Sequence, residues 1–296
     1  DGNFTTCPYP NPEIKEALQK GIELCEKVQP DLLLATDPDA DRVGIAVKDY
    51  DGSYRLISGN EDGIMLTDYI LSSRKANGTL PEKPVLVKTI VTTKLINKLC
   101  EKYGCELKNV LTGFKYIGEV ILNLEKKGEE GRYVFGFEES YGYLSGTYVR
   151  DKDGVNGAYM ICEMFSFYAT RGVTLLEKLE ELYKTYGYCL NTLHSYEFEG
   201  SAGFEKMQQI MASFRGNIPA FGGKKVKTLL DYSQGLEGLP KSDVLKFMLE
   251  DNCSLVVRPS GTEPKLKVYI SVTAENEEQA KEIEQAISGD AQALMG

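Results

Sequence analysis

The chain has 296 residues, and 34 lysines and arginines against 44 aspartates and glutamates give a formal net charge of −10. That acidity argues against a general binder of nucleic acid or anionic membrane. An apolar content of 42% excludes a disordered chain and supplies a core for two or three domains of about 100 to 200 residues.

Asn11-Pro12 predicts a helix start, and Ile14, Leu18, Ile22, Cys25 and Val28 follow at helical spacing until Gln29-Pro30 ends it. Apolar runs at 32–35 and 43–47 predict buried strands, and Asp51-Gly52 a hairpin-type turn. Helices are expected over 60–73, 94–103, 157–170 and 174–186, the second and fourth stopped by Gly104 and Gly187. Strands are expected at 85–91 and 133–137. This alternation predicts α/β layering. The last third changes rhythm, with strands expected at 193–198, 226–231, 254–258 and 267–273 and helices at 204–214, 242–250 and 276–287. A short loop between the final two strands predicts an antiparallel pair, so the C-terminal domain reads as α+β. Boundaries fall near 52 and 188, dividing the chain into 1–52, 53–187 and 188–296.

No apolar run approaches the roughly 18 residues needed to span a bilayer, and no signal peptide is legible. The seven cysteines are scattered without a Cys-x-x-Cys pair, which fits neither a disulfide framework nor a zinc site and predicts a reduced, cytoplasmic protein. His194 is the sole histidine, so acid–base work is expected from carboxylates or lysine. The sequence opens at Asp1 without an initiator methionine, which reads as a piece of a longer chain.

Three loops carry chemistry. Asp37-Pro38-Asp39-Ala40-Asp41-Arg42 sets three carboxylates in five residues between two strands. Three close anions are unfavourable without a cation, and a hard, oxygen-liganded one, most naturally Mg2+, is the simplest answer. An EF-hand is excluded, because Arg42 and Lys48 stand where it needs glycine and glutamate. A solvated acidic turn is the plain alternative. Arg258-Pro259-Ser260-Gly261-Thr262-Glu263-Pro264 also joins two strands, and its guanidinium, hydroxyls and glycine suit a phosphate or, equally, a tight turn. Gly136-Phe137-Glu138-Glu139-Ser140 places two carboxylates after a strand, and by itself reads as a surface turn.

Together and in this order, these motifs and Thr112-Gly113-Phe114-Lys115 resemble the α-D-phosphohexomutase family, whose members have four domains around a cleft. The resemblance implies that 1–52 is the latter part of domain 2, 53–187 domain 3 and 188–296 domain 4. It implies Mg2+ on Asp37, Asp39 and Asp41, with Arg42 beside the moving phosphoryl group. Substrate contacts are implied for Thr112, Gly113, Glu138 and Ser140, for Lys88, and for Arg258, Ser260, Gly261 and Thr262 as the clamp on the other phosphate. Lys152 matches a lysine that assists proton transfer in the glucose-specific branch. The implied activity interconverts glucose 1-phosphate and glucose 6-phosphate through a bisphosphate, with hexose phosphates as partners. Pentose or mannose phosphates are the nearest alternatives, and a non-catalytic phosphosugar- and metal-binding module the more distant one. The family's phosphoserine stretch, Ser-His-Asn-Pro-like, has no match here, so the serine-bearing domain is expected elsewhere in a longer chain.

Overall fold

The computed structural model describes residues 2–7, 9–198, 200–260 and 265–295. They form two compact units, Asp1–Thr185 and Tyr186–Gly296.

The first unit opens with helix α1 (Lys15–Val28). It starts later than the sequence suggests. The Asn11 side chain accepts the N–H of Glu13 at 2.9 Å and closes a turn there, instead of capping a helix. Gln29, at φ 53°, ends the helix as expected. Strands β1 (Leu32–Thr36), β2 (Val43–Lys48) and β3 (Tyr54–Ile57) form an antiparallel sheet in that order. The sequence reading lacks β3, whose four residues are too short a run to stand out.

Helix α2 (Gly59–Ala76) begins with a reciprocal cap in which Ser58 and Glu61 satisfy each other's backbone N–H groups. Strand β4 (Val85–Thr89), helix α3 (Leu95–Tyr103), strand β5 (Glu106–Val110), helix α4 (Phe114–Glu125), strand β6 (Tyr133–Phe137) and strand β7 (Tyr143–Leu144) follow. The sheet order is β5-β4-β6-β7, parallel except for β7. All five residues of β4 are buried, as a strand covered on both faces requires. Val85 and Val87 pack with Ile117 and Ile121 of α4. Gly63 of α2 lies against the Phe137 ring so closely that a Cβ there would come within 2.0 Å of it. Helices α5 (Gly154–Ala169) and α6 (Leu175–Tyr186) complete the unit. Asp153 caps α5 by accepting two N–H groups, which moves its start ahead of residue 157.

The second unit is a six-stranded antiparallel sheet with two helices. Its elements are β8 (Tyr188–Glu197), α7 (Gly200–Phe214), β9 (Ala220–Phe221), β10 (Lys224–Asp231), β11 (Leu245–Leu249), β12 (Ser254–Pro259), β13 (Lys265–Ala274) and α8 (Glu277–Ala293). The order is β8-β13-β12-β11-β10-β9. Met207, Met211 and Phe214 of α7 and Ile287 of α8 join the inward residues of β11, β12 and β13 in one core. The helix expected over 242–250 is instead β11. Val244, Leu245, Met248 and Leu249 fit helical spacing, but Leu245, Phe247 and Leu249 bury in alternation between β10 and β12. The α/β and α+β classes expected of the two parts match what is observed.

Candidate active site

The β1–β2 register pairs Thr36 with Val43, so residues 37–42 must reverse the chain. One Asp37 oxygen, Oδ1, does much of this, accepting the N–H groups of Asp41 at 3.1 Å and Arg42 at 3.0 Å. Ala40 adopts φ 55° to complete the turn. The result gathers Asp37, Asp39 and Asp41 with ligand oxygens all within 4.8 Å of one another. Burial raises the pKa of Asp37, the Arg42 N–H opposes the rise, and the neighbouring Asp41 and Asp39 add to it. That crowding of anions is the condition a hard cation relieves, and an all-oxygen donor set suits magnesium. Arg42 stands over the loop, its Nε 3.9 Å from both Asp37 Oδ2 and Asp41 Oδ1 and its Nη1 3.9 Å from Glu13 Oε1. Its Nε is buried without a hydrogen-bond partner among the described residues.

The second loop turns between β6 and β7, closed by the Glu138 N–H on the Gly142 carbonyl at 2.9 Å. Tyr141 takes φ 65° within it, and Ser140 is half-buried beside it. Glu138 is 5% exposed and accepts the Gly113 N–H at 2.7 Å. Gly113, at φ 124°, aims that donor from the start of α4, a conformation costly for any residue with a side chain. Burial and the charge of Glu139 push the Glu138 carboxyl up to about 7, against the pull of Gly113, Lys152 and Arg42. Thr112, next to Gly113, is half-buried. Glu139 turns to the sheet and accepts the hydroxyls of Thr89 at 3.0 Å and Thr92 at 3.2 Å. Lys88 lies deeper, only 2% exposed, and donates to the carbonyls of Thr89 and Thr92. This is the lysine for which the resemblance implies a substrate contact, and it braces the backbone that presents Thr89 and Thr92 to Glu139.

Three contacts bring the loops together. Val43 N–H donates to the Tyr141 carbonyl at 3.1 Å, and Gly154 N–H to the Ala40 carbonyl at 3.0 Å. Lys152 Nζ lies 2.5 Å from Asp41 Oδ2. Burial works against the Lys152 charge, but the hydrogen bond to Asp41 and the charge of Asp151 win and hold its pKa above the usual lysine range. A Cβ on Gly154 would meet the Ala40 carbonyl oxygen at 2.5 Å, so glycine is what lets α5 abut the acidic loop.

Sequence reasoning missed Glu13, Thr89, Thr92 and Asp62. Asp62, on α2, is 1% exposed, and neither of its carboxylate oxygens has a hydrogen-bond partner among the described residues. Burial pushes its carboxyl up to about 7, with the Tyr143 hydroxyl opposing and Glu61 reinforcing the rise. That hydroxyl is close enough to influence Asp62 but lies outside hydrogen-bond geometry. No sequence signal marks Asp62, which sits among helix residues of ordinary spacing.

In the second unit, Arg258 pairs across β12 and β13 with Lys267, and Ser260 N–H donates to the Lys265 carbonyl at 2.7 Å. These place Arg258 and Ser260 where the chain leaves the sheet. Gly261 and Thr262 lie outside the described residues.

The family models for phosphoglucomutase/phosphomannomutase match domain II over residues 1–52, domain III, of alpha/beta/alpha type, over 58–186, and the C-terminal domain over 205–289. The chain belongs to this family. It is 37% identical over 288 residues to a phosphoglucomutase of Staphylococcus aureus (strain USA300), a match covering 93% of this chain and 51% of that protein. The chain thus spans about half the length of the relatives it matches. Among solved structures, the open form of the Paramecium phosphoprotein pp63/parafusin superposes with a TM-score of 0.67 at 19% identity, covering 97% of this chain and 49% of that one. The Aspergillus fumigatus N-acetylphosphoglucosamine mutase, in complex with GlcNAc-6P and magnesium, gives 0.51 at 15% identity, over 93% and 52%. Those two likenesses carry the fold. The members of this phosphohexomutase family are isomerases.

Proposed function

We propose that this chain carries the metal, sugar and distal-phosphate loops of a phosphoglucomutase, working on glucose 1-phosphate and glucose 6-phosphate in the cytoplasm. The observation that carries the reading is the single cluster in which Asp37, Asp39 and Asp41 meet Arg42, Lys152 and Glu138. Acids and bases gathered with shifted protonation at one place are suited to handling a highly charged ligand. Asp37, Asp39 and Asp41 would hold the magnesium ion, which would supply positive charge to the oxygens of a transferring phosphoryl group.

The chain's own residues then divide the work. Arg42, with an unspent buried Nε, offers a fork to the same phosphoryl oxygens as charge builds on them. Lys152, held as an ammonium by Asp41, gives its proton to the oxygen that leaves phosphorus and takes up the proton that the attacking hydroxyl loses in the same half-reaction, so it ends each half-reaction as an ammonium. Glu138, pinned by Gly113, accepts or donates a hydrogen bond to a sugar hydroxyl according to its protonation, and Ser140 and Thr112 border it. Arg258, Ser260, Gly261 and Thr262 are assigned to the phosphate that stays on the sugar. In the forward half-reaction a phosphoserine P–O bond breaks as a bond from phosphorus to the C6 oxygen forms. The resulting glucose 1,6-bisphosphate turns over and returns its other phosphoryl group to the serine.

No Ser-His-Asn-Pro stretch occurs in the 296 residues. The 296-residue chain, supplied with glucose 1-phosphate and glucose 1,6-bisphosphate, is therefore expected to give no turnover, and turnover would overturn the division of labour above. Isothermal titration with magnesium tests the metal loop on the same chain. Binding that is weakened in Asp39→Ala is expected, and equal binding would remove the loop from the proposal.

A further inference from the structure

Cys100 and Cys105 lie at the end of α3. Helix α3 finishes with Gly104 at φ 68°, and two backbone bonds close the turn: Cys105 N–H to the Cys100 carbonyl at 2.9 Å, and Gly104 N–H to the Glu101 carbonyl at 3.4 Å. This is a Schellman ending, in which the side chains at the two ends of the outer bond touch. At most helix ends that contact is between two hydrocarbons. Here both positions are cysteine, and both thiols are free. Disulfides form between residues whose Cα atoms are about 4.4 to 6.8 Å apart, and the 2.9 Å bond from the Cys105 N–H to the Cys100 carbonyl holds these two residues close.

The two differ in access. Cys105 is half-buried, while Cys100 is 3% exposed and packs in the core. We propose that Cys100 and Cys105 form a redox pair, in which a hydroperoxide oxidises the accessible Cys105 and Cys100 captures it as an intramolecular disulfide. The neighbouring Cys100 thiol holds Cys105 below its ordinary range, while the neighbouring Cys105 and burial hold Cys100 above it, which agrees with that division.

The chemistry balances in two steps. The Cys105 thiolate attacks the terminal peroxide oxygen; the O–O bond breaks, an alcohol or water leaves with the thiol's proton, and a sulfenic acid remains. Cys100 sulfur then attacks Cys105 sulfur; the S–O bond breaks, and the hydroxyl leaves as water with the Cys100 proton. Two thiols lose two electrons in total and the peroxide gains them. A dithiol of low potential reverses the step.

Trypsin cuts after Lys98, Lys102 and Lys108, so the disulfide would join peptide 99–102 to peptide 103–108. The intact chain is treated with one equivalent of hydrogen peroxide, alkylated and digested. The expected result is that joined pair, lost on reduction and absent in Cys105→Ser. In Cys100→Ser, dimedone is expected to trap a sulfenic acid on Cys105 that it does not trap in the unmutated chain. Recovery of both peptides as alkylated thiols from the unmutated chain, while the exposed Cys162 is oxidised, would overturn the proposal. Equal dimedone labelling of Cys105 with and without Cys100 would overturn it too. The first of these readouts needs no variant, so a folding failure cannot mask it.

Discussion

Asp62 and Glu138 share an unusual property, since each carboxyl is buried and pushed up to about 7. An acid that keeps its proton in the folded state contributes stability fully present below its unfolded pKa and lost as pH rises through the folded value. For Asp62 that window runs from about 4 to about 7, with an upper bound of roughly 4 kcal/mol for complete burial. Between pH 5 and pH 8 the melting temperature should therefore fall, and the fall should shrink in Asp62→Asn, read by differential scanning calorimetry. An unchanged slope would assign the loss to other groups. Glu138 predicts an effect on the same axis but on the ligand: Glu138→Gln should flatten the pH dependence of glucose 1-phosphate binding around neutrality. Neither effect is legible in the sequence. The motif marks Glu138, but the desolvation that tunes it comes from β6, α4 and the hairpin, which close around it only in three dimensions. Asp62 carries no signal because its consequence lies wholly in what surrounds it.

Among the elements, the close approaches are the sensitive points. Gly63→Ala would drive a methyl into the Phe137 ring, and the ring is itself stacked on Phe135 and Tyr143. Overpacking of this kind costs about 1 to 3 kcal/mol, so urea unfolding should shift to a clearly lower midpoint. Ser58→Ala removes one half of the α2 cap and should cost about 1 kcal/mol, a smaller shift in the same measurement. Elements with a continuous apolar run, such as β2 and β4, or an apolar helical stripe, such as α3, are legible in the sequence. Others have weak patterns for a physical reason. Strand β5 is an edge strand with three exposed residues of five, so its sequence ELKNV offers little apolar contrast. Helix α4 does carry a helical stripe, Phe114, Ile117, Ile121 and Leu124, but it follows directly on the Thr112-Gly113 motif and merges with it along the chain. Strand β11 satisfies both periods, and only its neighbours in the sheet decide between them.

At the scale of the molecule, the second unit has a core of its own, built from α7, α8 and the inward faces of β11 to β13. Produced alone, residues 186–296 should fold cooperatively, giving a single sigmoidal transition by circular dichroism. A gradual, non-cooperative loss would show that this core depends on residues 1–185. The lone histidine helps to hold this unit together. His194 Nε2 lies 2.6 Å from Glu284 Oε1, which also accepts the Thr192 hydroxyl, tying α8 to β8. The order of the motifs along the chain is legible from the amino acids alone, because each loop sits between elements that its flanking residues specify.

The hydrogen bonds from Val43 to Tyr141 and from Gly154 to Ala40, with the Lys152–Asp41 ion pair, have an evolutionary consequence. They cross the junction between the segments matched as domains II and III, at residues 52 to 58. A chimera that takes its acidic hairpin from one relative and the remainder from another inherits a mismatched seam. Recombination should therefore tolerate breakpoints near residue 186, where the two compact units meet in sequence, far better than at residue 55. Exchangeable modules in this lineage would follow the packing of the chain, which coincides with a domain border near residue 186 but not at residues 52 to 58.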